Sequence, residues 1–553
     1  MRIFQDKDLK FNPVFAVMLF TYLLSGILLI KYKAYEGIWG DGIAYINIAH
    51  RYAAGDFKNA INGYWGPLFS WLLSPLLLIF GSTPLSSAIT AKALLLIIGL
   101  FTIVGARKLS YTFEISDKIR NLVMLPLIPI VLSYLSFHVI VPDLLFLCVL
   151  LFYLAIVFKK TYPERISNGL LSGVLGALLY FSKPYGFPFF ISHFILINTF
   201  HYFRIPSGEK KKVILNAFIG MFIFLALAVS WIVLISSKYG YTTFSTAGTE
   251  NYSIVAPAPD KKIGRHHDSH LYNEGFYKPH DERAINVFED LSYLYVKSWS
   301  PFESWANFRH QILLCLKNAH SIAKFLILFT PLSFIIISAY VLLCIRPVKE
   351  LLQRGDILYP LSTMILYSGG YTIPFVSQRY IWIDNILLLL MGGHLLSLLF
   401  QHEFFKIYNL RKNILIALVI TSFIVLPIQN IIHKPDRGKE IYLLSKKLES
   451  YNIQGKIASH KPDPDFISKE WQRSMMSWLH TLTLSYYLGT KYYGQSGANM
   501  SEEDLERELK KFDIDFYFVW GNHTNIPKFL SDYRMVVNLE NPGPGLKVYS
   551  LKP

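Results

Sequence analysis

Apolar runs of bilayer length, separated by short basic loops, constrain this chain more than any other feature. A helix needs about 20 mostly apolar residues to cross a membrane. Runs of that kind lie near 12–30, 86–106, 120–137, 141–158, 168–183, 185–203, 213–236, 321–345, 357–375, 380–400 and 413–431. Inside a bilayer the backbone must satisfy its own polar groups, so such runs form helices. Composition agrees: 52% of residues are hydrophobic and only 17% charged, against about a quarter charged in soluble domains. The sequence predicts a polytopic α-helical membrane protein with about eleven transmembrane helices. The run Leu68–Phe80 is too short and too Pro-flanked to cross, and predicts a helix lying at the interface.

Loop charge fixes the sidedness. Arg107-Lys108 with Lys118 and Arg120, Lys159-Lys160 with Arg165, Lys210-Lys211-Lys212, Arg346 with Lys349 and Arg354, and Lys406 with Arg411-Lys412 are the basic clusters. With eleven crossings all of them fall on the side of the N-terminus, as cytoplasmic loops should. That agreement fails if Leu68–Phe80 crosses. The expected topology has a cytoplasmic N-terminus, an external C-terminus, and a first span that is not a cleavable signal.

Residues 1–432 then form the membrane module, with external loops at about 31–85 and 237–320, and residues 433–553 an external domain. That tail predicts a small α/β unit: Glu440–Ser450 and Glu502–Lys511 are patterned as helices, and Phe512–Trp520, Arg534–Leu539 and Leu546–Leu551 as strands. Its role is open between a lid or acceptor-docking domain and a stabilising cap.

The net charge of +16 sits in membrane-flanking loops without aromatic interleaving, which argues against nucleic acid. Cys148, Cys315 and Cys344 make no disulfide framework. A bacterial inner membrane, with the external parts in the periplasm, fits their scarcity. Lys92 and His394 are the main mid-span charges, fewer than a transporter is expected to carry. Gly169, Ser172, Gly173 and Gly176 give the fifth span two small-xxx-small pairs for close helix packing.

The polar residues of interest collect at external span ends. Asp41, in Trp39-Gly40-Asp41-Gly42, either caps the next helix or serves as a base; Tyr45, Tyr64 and Trp65 around it suit a sugar site or an interfacial belt. Asp143, after Pro142 and five residues past His138, either complements a helix dipole or is a second acid that orients hydroxyls. Lys183 either snorkels to the headgroups or neutralises a phosphate. Arg379, followed by Tyr380, either pairs with Asp384 one turn on or offers its fork of donors to phosphate. The second loop adds Arg309 and His310, with His266, His267, His270 and His280; no fixed metal-ligand geometry surrounds these histidines, and a loop over the site is the better reading. Sequons at Asn251, Asn499 and Asn522 matter only in a secretory pathway.

Taken in order, several motifs resemble the GT-C type of membrane glycosyltransferase, in particular the branch of protein O-mannosyltransferases and lipid A aminoarabinose transferases. They are Gly40-Asp41-Gly42-x-x-Tyr45, the Pro-led helix from Gly66-Pro67-Leu68 to Gly81, Arg107-Lys108, Tyr180-Phe181-Ser182-Lys183-Pro184-Tyr185-Gly186, and Arg379-Tyr380. Asp-Gly stands here where many members have Asp-Glu. The resemblance implies transfer of a sugar from a polyprenyl-phosphate donor to a glycan, glycolipid or protein hydroxyl at the external face. Asp41 would be the base, with inversion at the sugar. Arg379 and Lys183 would hold the donor phosphate, with Asp143 as second acid. Substrate contacts would come from Tyr45, Tyr64, Trp65, His138, Arg309, His310, Tyr380 and Asp384. A monophosphate donor implies no cofactor and no obligatory metal. A lipid-linked glycan flippase or transporter is the competing expectation.

Overall fold

The computed structural model describes residues 12–136, 139–258, 263–264, 275–294, 298–406, 409–433, 438–461, 477–497, 500–521, 526–539 and 545–552. The chain runs through α1 (Pro13–Tyr32), α2 (Gly40–Ala53), α3 (Phe57–Ala60), α4 (Pro67–Phe80), α5 (Pro84–Ser110), α6 (Asp117–Met124), α7 (Leu127–Leu135), α8 (Asp143–Val157), α9 (Ile166–Ser182), α10 (Gly186–Arg204), α11 (Lys210–Tyr239) and α12 (Ala247–Ser253). After strand β1 (Gly275–Phe276) come α13 (Trp305–Phe329), α14 (Ser333–Leu343), α15 (Val348–Gln353), α16 (Gly355–Tyr371), α17 (Trp382–Leu399), α18 (Glu403–Lys406) and α19 (Asn409–Ile432). The C-terminal part holds α20 (Gly438–Glu449), β2 (Lys456–Ser459), α21 (Ser477–Leu488), β3 (Lys491–Gln495), α22 (Glu502–Lys511), β4 (Phe516–Trp520), β5 (Arg534–Leu539) and β6 (Leu546–Ser550).

Among the described residues, seven helices are long and apolar enough to cross a membrane: Pro13–Tyr32, Pro84–Ser110, Asp117–Leu135, Ser207–Tyr239, Trp305–Phe329, Gln378–Leu399 and Asn409–Ile432. The apolar helices α4, α8, α9 and α14 are shorter. The count of eleven crossings thus rests on loop charge rather than on helix length. Two expected spans are divided: 120–137 falls into α6 and α7 with a break at Leu125-Pro126, and 321–345 falls into α13 and α14. In the latter, α13 stops at Phe329 and α14 starts at Ser333. Thr330 is extended, with φ −149°, and Pro331 has no N–H with which to continue the ladder. Helix α4 has 14 residues, about 21 Å at 1.5 Å per residue. It buries Phe69, Leu73 and Leu77 and exposes Leu78, Ile79 and Phe80, as a helix lying along a bilayer surface would.

The small residues of α9 explain its tight fit to α11. A Cβ added at Gly169 would lie 2.5 Å from the Asn216 carbonyl, and one at Gly173 2.3 Å from the Gly220 carbonyl. Neither backbone can yield. Gly173→Leu is expected to destabilise the bundle by about 1–3 kcal/mol or more, read as a lower Tm of the detergent-solubilised protein.

Beside the bundle lies a mixed sheet in the order β1-β3-β2-β4-β6-β5, with β2 parallel to β3 and β4 and the other pairs antiparallel. Strand β4 begins four residues later than its sequence pattern, after Asp513 turns the chain at φ 54°. The edge strand β1 comes from the second long loop, and Tyr492 N–H donates to the Ile285 carbonyl at 2.7 Å. Helix α21 ties this layer to the bundle: Thr483 Oγ1 donates to the Ile38 carbonyl at 3.2 Å and Tyr486 Oη to the Pro84 carbonyl at 2.7 Å. The first bond reaches the turn that launches α2, and the second the start of α5.

Candidate active site

Helix α2 starts after Trp39, whose backbone is extended at φ −118°. Asp41 is the second residue of the helix and caps nothing; its Oδ2 accepts from Arg379 Nη2 at 3.0 Å. Gly42 lets this turn sit close to the next segment. A Cβ there would lie 3.1 Å from Ile140 Cβ and 3.2 Å from the Gly37 carbonyl. A glutamate at 42 would crowd this contact, so that a neighbour would have to shift by a few tenths of an ångström. The chain then turns through Pro142 into α8, whose first residue is Asp143.

Asp143 is buried at 6% exposure and is served by two cations. Lys183 Nζ donates to its Oδ1 at 2.7 Å, and Arg379 Nε lies 3.9 Å from its Oδ2. Lys183 is the residue just past α9, with extended backbone, so it points into the protein and does not snorkel. The 63–66 turn holds this end of α9, since a Cβ on Gly66 would meet the Phe181 and Ser182 carbonyls at 2.6 Å. Arg379 lies in the 3-10 turn Gln378–Ile381 that leads into α17. Asp41, Arg379, Asp143 and Lys183 thus alternate in sign along one chain of contacts, drawn from the ends of four helices.

The four line one cavity of about 390 Å³. Tyr45, Tyr64, Trp65 and Tyr380 line it too. Tyr64 and Trp65 meet edge-on with centroids 4.5 Å apart, and Trp65 meets Tyr45 at 5.1 Å. Lys183 Nζ sits 4.2 Å from the Tyr380 ring centre, and Tyr380 stacks on Tyr371 at 4.8 Å. Burial, then the charges of Asp143 and Asp41, push the Tyr45 phenol well above its ordinary range. It is therefore a neutral hydrogen-bond donor at working pH.

The remaining candidates lie elsewhere. Asp384 is buried in α17 behind the cavity wall, takes a hydrogen bond from Ser368, and makes no pair with Arg379. Arg309 is exposed on α13, and His310 bonds the Val255 carbonyl at 2.8 Å; neither lines the cavity. His138, His266, His267 and His270 fall outside the described residues. Sequence reasoning missed Tyr185, Phe288, Tyr371 and Phe375, and the α12 residues Ala247, Gly248 and Tyr252, all of which line the cavity. Asn251 lines it as well, while the sequons at Asn499 and Asn522 fall outside the described residues.

A polar network steadies α2 from the far end. Arg51 pairs with Glu289 at 3.0 Å and with Asp281, and Asn47 Nδ2 donates to Glu289 Oε1 at 2.8 Å. Asp290 takes Lys238 at 3.1 Å and Tyr239 Oη at 2.7 Å. Burial would raise the Asp281 carboxyl, but hydrogen bonds from His280 and Arg51 outweigh it and hold the group below the usual carboxylate range. Arg51→Met would leave Glu289, 1% exposed, without its cation. The expected cost is about 3–5 kcal/mol, checked by thermal melting and partly recovered by adding Glu289→Gln.

The mid-span candidates make structural bonds. Lys92 Nζ donates to the carbonyls of Lys33 and Ala34 at 2.6 and 2.8 Å, and His394 Nδ1 meets Tyr340 Oη at 2.7 Å. Among the described residues no three His, Cys, Asp or Glu side chains gather as metal ligands do.

Solved structures share this arrangement of chain. ArnT from Cupriavidus metallidurans bound to undecaprenyl phosphate matches with a TM-score of 0.54 and 12% identity, over 97% of this chain and 98% of its own. The fold is that of the GT-C membrane glycosyltransferases. The apo state of the same ArnT matches at TM-score 0.53 and 12% identity, over 97% of each chain. The Archaeoglobus fulgidus oligosaccharyltransferase in its apo form, also GT-C, matches at 0.50 and 10% identity, over 91% of this chain and 69% of its own. No protein-family model matches the chain. No curated protein sequence matches it either.

Proposed function

We propose that the protein moves a sugar from a polyprenyl-phosphate donor to an acceptor hydroxyl at the external membrane face, with inversion at the sugar carbon. The observation that carries this is the single cavity in which Asp41, Arg379, Asp143 and Lys183 meet, on a GT-C fold. Undecaprenyl phosphate bound to the structurally similar ArnT supports a lipid phosphate as the donor's carrier.

The chemistry follows from the charges. The donor phosphodiester, one negative charge, enters beside Lys183 and Arg379 and takes the guanidinium from Asp41. The freed carboxylate accepts the acceptor's O–H proton as that oxygen bonds to sugar C1. The C1–O(phosphate) bond breaks, its electron pair stays on the phosphate, and the monoester leaves with up to two negative charges. Lys183 and Arg379 stabilise that gain, and in a site partly closed from water such stabilisation is large. Asp143 holds both cations in place. With the leaving charge served by two side chains, we propose that no metal is required, and turnover should survive EDTA unchanged; loss on chelation with recovery by a divalent ion would overturn this point. A transporter needs polar groups free to bind cargo near the midplane, and the bonds of Lys92 and His394 do not favour that reading.

The test is release of polyprenyl phosphate from a labelled polyprenyl-phosphate sugar by the purified protein. Glycans, glycolipids and proteins of the cell envelope serve as acceptors. Acceptor-dependent release supports the proposal; movement of the intact donor across a liposome without release would oppose it.

A further inference from the structure

Helix α12 forms one wall of the cavity and carries no part of the proposed chemistry. Ala247, Gly248, Asn251 and Tyr252 line the space. Their spacing puts them on one helix face, while Glu250 is buried on another. The wall is fixed at both ends. Thr246 N–H donates to the Gly63 carbonyl at 3.0 Å, and Thr246 Oγ1 meets Ser292 Oγ at 2.7 Å. At the other end Trp299 Nε1 donates to the Tyr252 carbonyl at 2.9 Å, and the two rings stack at 4.6 Å.

What this wall offers a ligand is specific. A Cβ built on Gly248 meets no atom within 4 Å, so the glycine leaves open space that no neighbouring side chain fills. Asn251 offers an amide, which both donates and accepts and so suits hydroxyl groups. The wall brings no charge. Among the described residues lining the cavity, the charged ones are Asp41, Asp143, Lys183 and Arg379, each acid paired with a cation. With the donor phosphate bound to Lys183 and Arg379, a sugar carboxylate would find no free cation, and the one carboxylate released, Asp41, is the proposed base, whose basicity a sugar ammonium paired with it would lower.

We propose that the Ala247-Gly248-Asn251 face contacts the transferred sugar, and that this sugar is neutral, a hydroxylated ring with neither an amino nor an acid group. The proposal rests on the reading of the cavity as a site for a lipid-linked sugar. Gly248 sets the size of ring accepted, and Asn251 reads its hydroxyls.

The test compares ligands on the full-length protein in nanodiscs: undecaprenyl phosphate alone, the same lipid carrying mannose, glucose or galactose in turn, and the lipid carrying aminoarabinose. Gly248→Leu is expected to weaken the best-bound neutral hexosyl lipid about tenfold or more while changing the bare lipid less than about twofold; a lost polar contact in Asn251→Ala should cost about five- to tenfold on the same ligand alone. Failure of the wild type to bind the bare lipid would remove the lipid-linked-sugar reading itself. If it binds, and the variants spare the hexosyl lipids or weaken bare and hexosyl lipids alike, the α12 wall does not read the sugar. Tighter binding of the aminoarabinosyl lipid than of any neutral one would overturn the neutral class. Asn251→Ala, which removes only an amide, keeps the test valid if Gly248→Leu lowers the Tm.

Discussion

Asp41→Asn is expected to lower turnover about 10²–10⁴-fold, the usual worth of a positioned general base, while undecaprenyl phosphate binding changes no more than a few-fold. The asymmetry comes from the geometry. Asn has the shape of Asp, and its amide oxygen can still accept the hydrogen bond that Arg379 Nη2 now gives at 3.0 Å. The cation, the α2 turn and the cavity are therefore kept. What is lost is the ability to take a proton. Rate and affinity separate, and the readout is single-turnover release of polyprenyl phosphate beside an equilibrium Kd for the bare lipid. Asp143→Asn should behave differently, because Asp143 is buried and steadies two cations. Losing its charge loosens Lys183 and Arg379 together, so affinity falls with rate. Wild-type turnover in Asp41→Asn would take the base role from this residue and pass it to another cavity group.

The charged part of the site was legible in the sequence because of where it lies. Asp143, Lys183 and Arg379 each stand at the end of an apolar helix, and Asp41 follows soon after one, where a charged residue is visible against its surroundings. Loop charge then sorted the ends by side. The neutral walls carried no such signal: Tyr371, Phe375, Ala247 and Gly248 read as ordinary span or loop residues until packing brought them to one cavity. Arg309 and His310 show the converse. They looked functional in a polar loop, but α13 turns Gln311 and Leu314 inward, and Arg309 is left exposed. Asp384 lies one turn too deep and faces Ser368. In the C-terminal layer, the helix Glu502–Lys511 and the strand Arg534–Leu539 have the bounds their patterns predict. Strands β2 and β3 were missed, being short and buried on nearly every residue, which erases the two-residue period. Strand β1, with two residues, has no period at all. Its pairing is set by the distant β3.

Arg379→Ala is the second large effect, and its signature is a joint one. The guanidinium bonds Asp41 and lies 3.9 Å from Asp143, and in the proposed reaction it turns its fork to the donor phosphate. Truncating one member of a partly buried, hydrogen-bonded charge pair costs about 2–5 kcal/mol. Part of that cost falls on the free protein, where two carboxylates lose a shared cation and repel. The rest falls on the bound donor. The expected result is a donor Kd weaker by about 10- to 1000-fold together with a lower kcat, because the leaving phosphate loses a donor as its charge grows. Arg379→Lys separates charge from geometry: it keeps the cation and loses the fork, so its defect should fall between wild type and alanine. The decisive comparison is the double variant Asp41→Asn with Arg379→Ala. Residues in direct contact are not additive. Removing the carboxylate's charge relieves the repulsion that alanine leaves behind, so donor affinity in the double variant should be better than in Arg379→Ala alone, while turnover stays as low as in Asp41→Asn. Strict additivity in both quantities would mean that the pair seen in the ligand-free protein is not the pair that the donor divides.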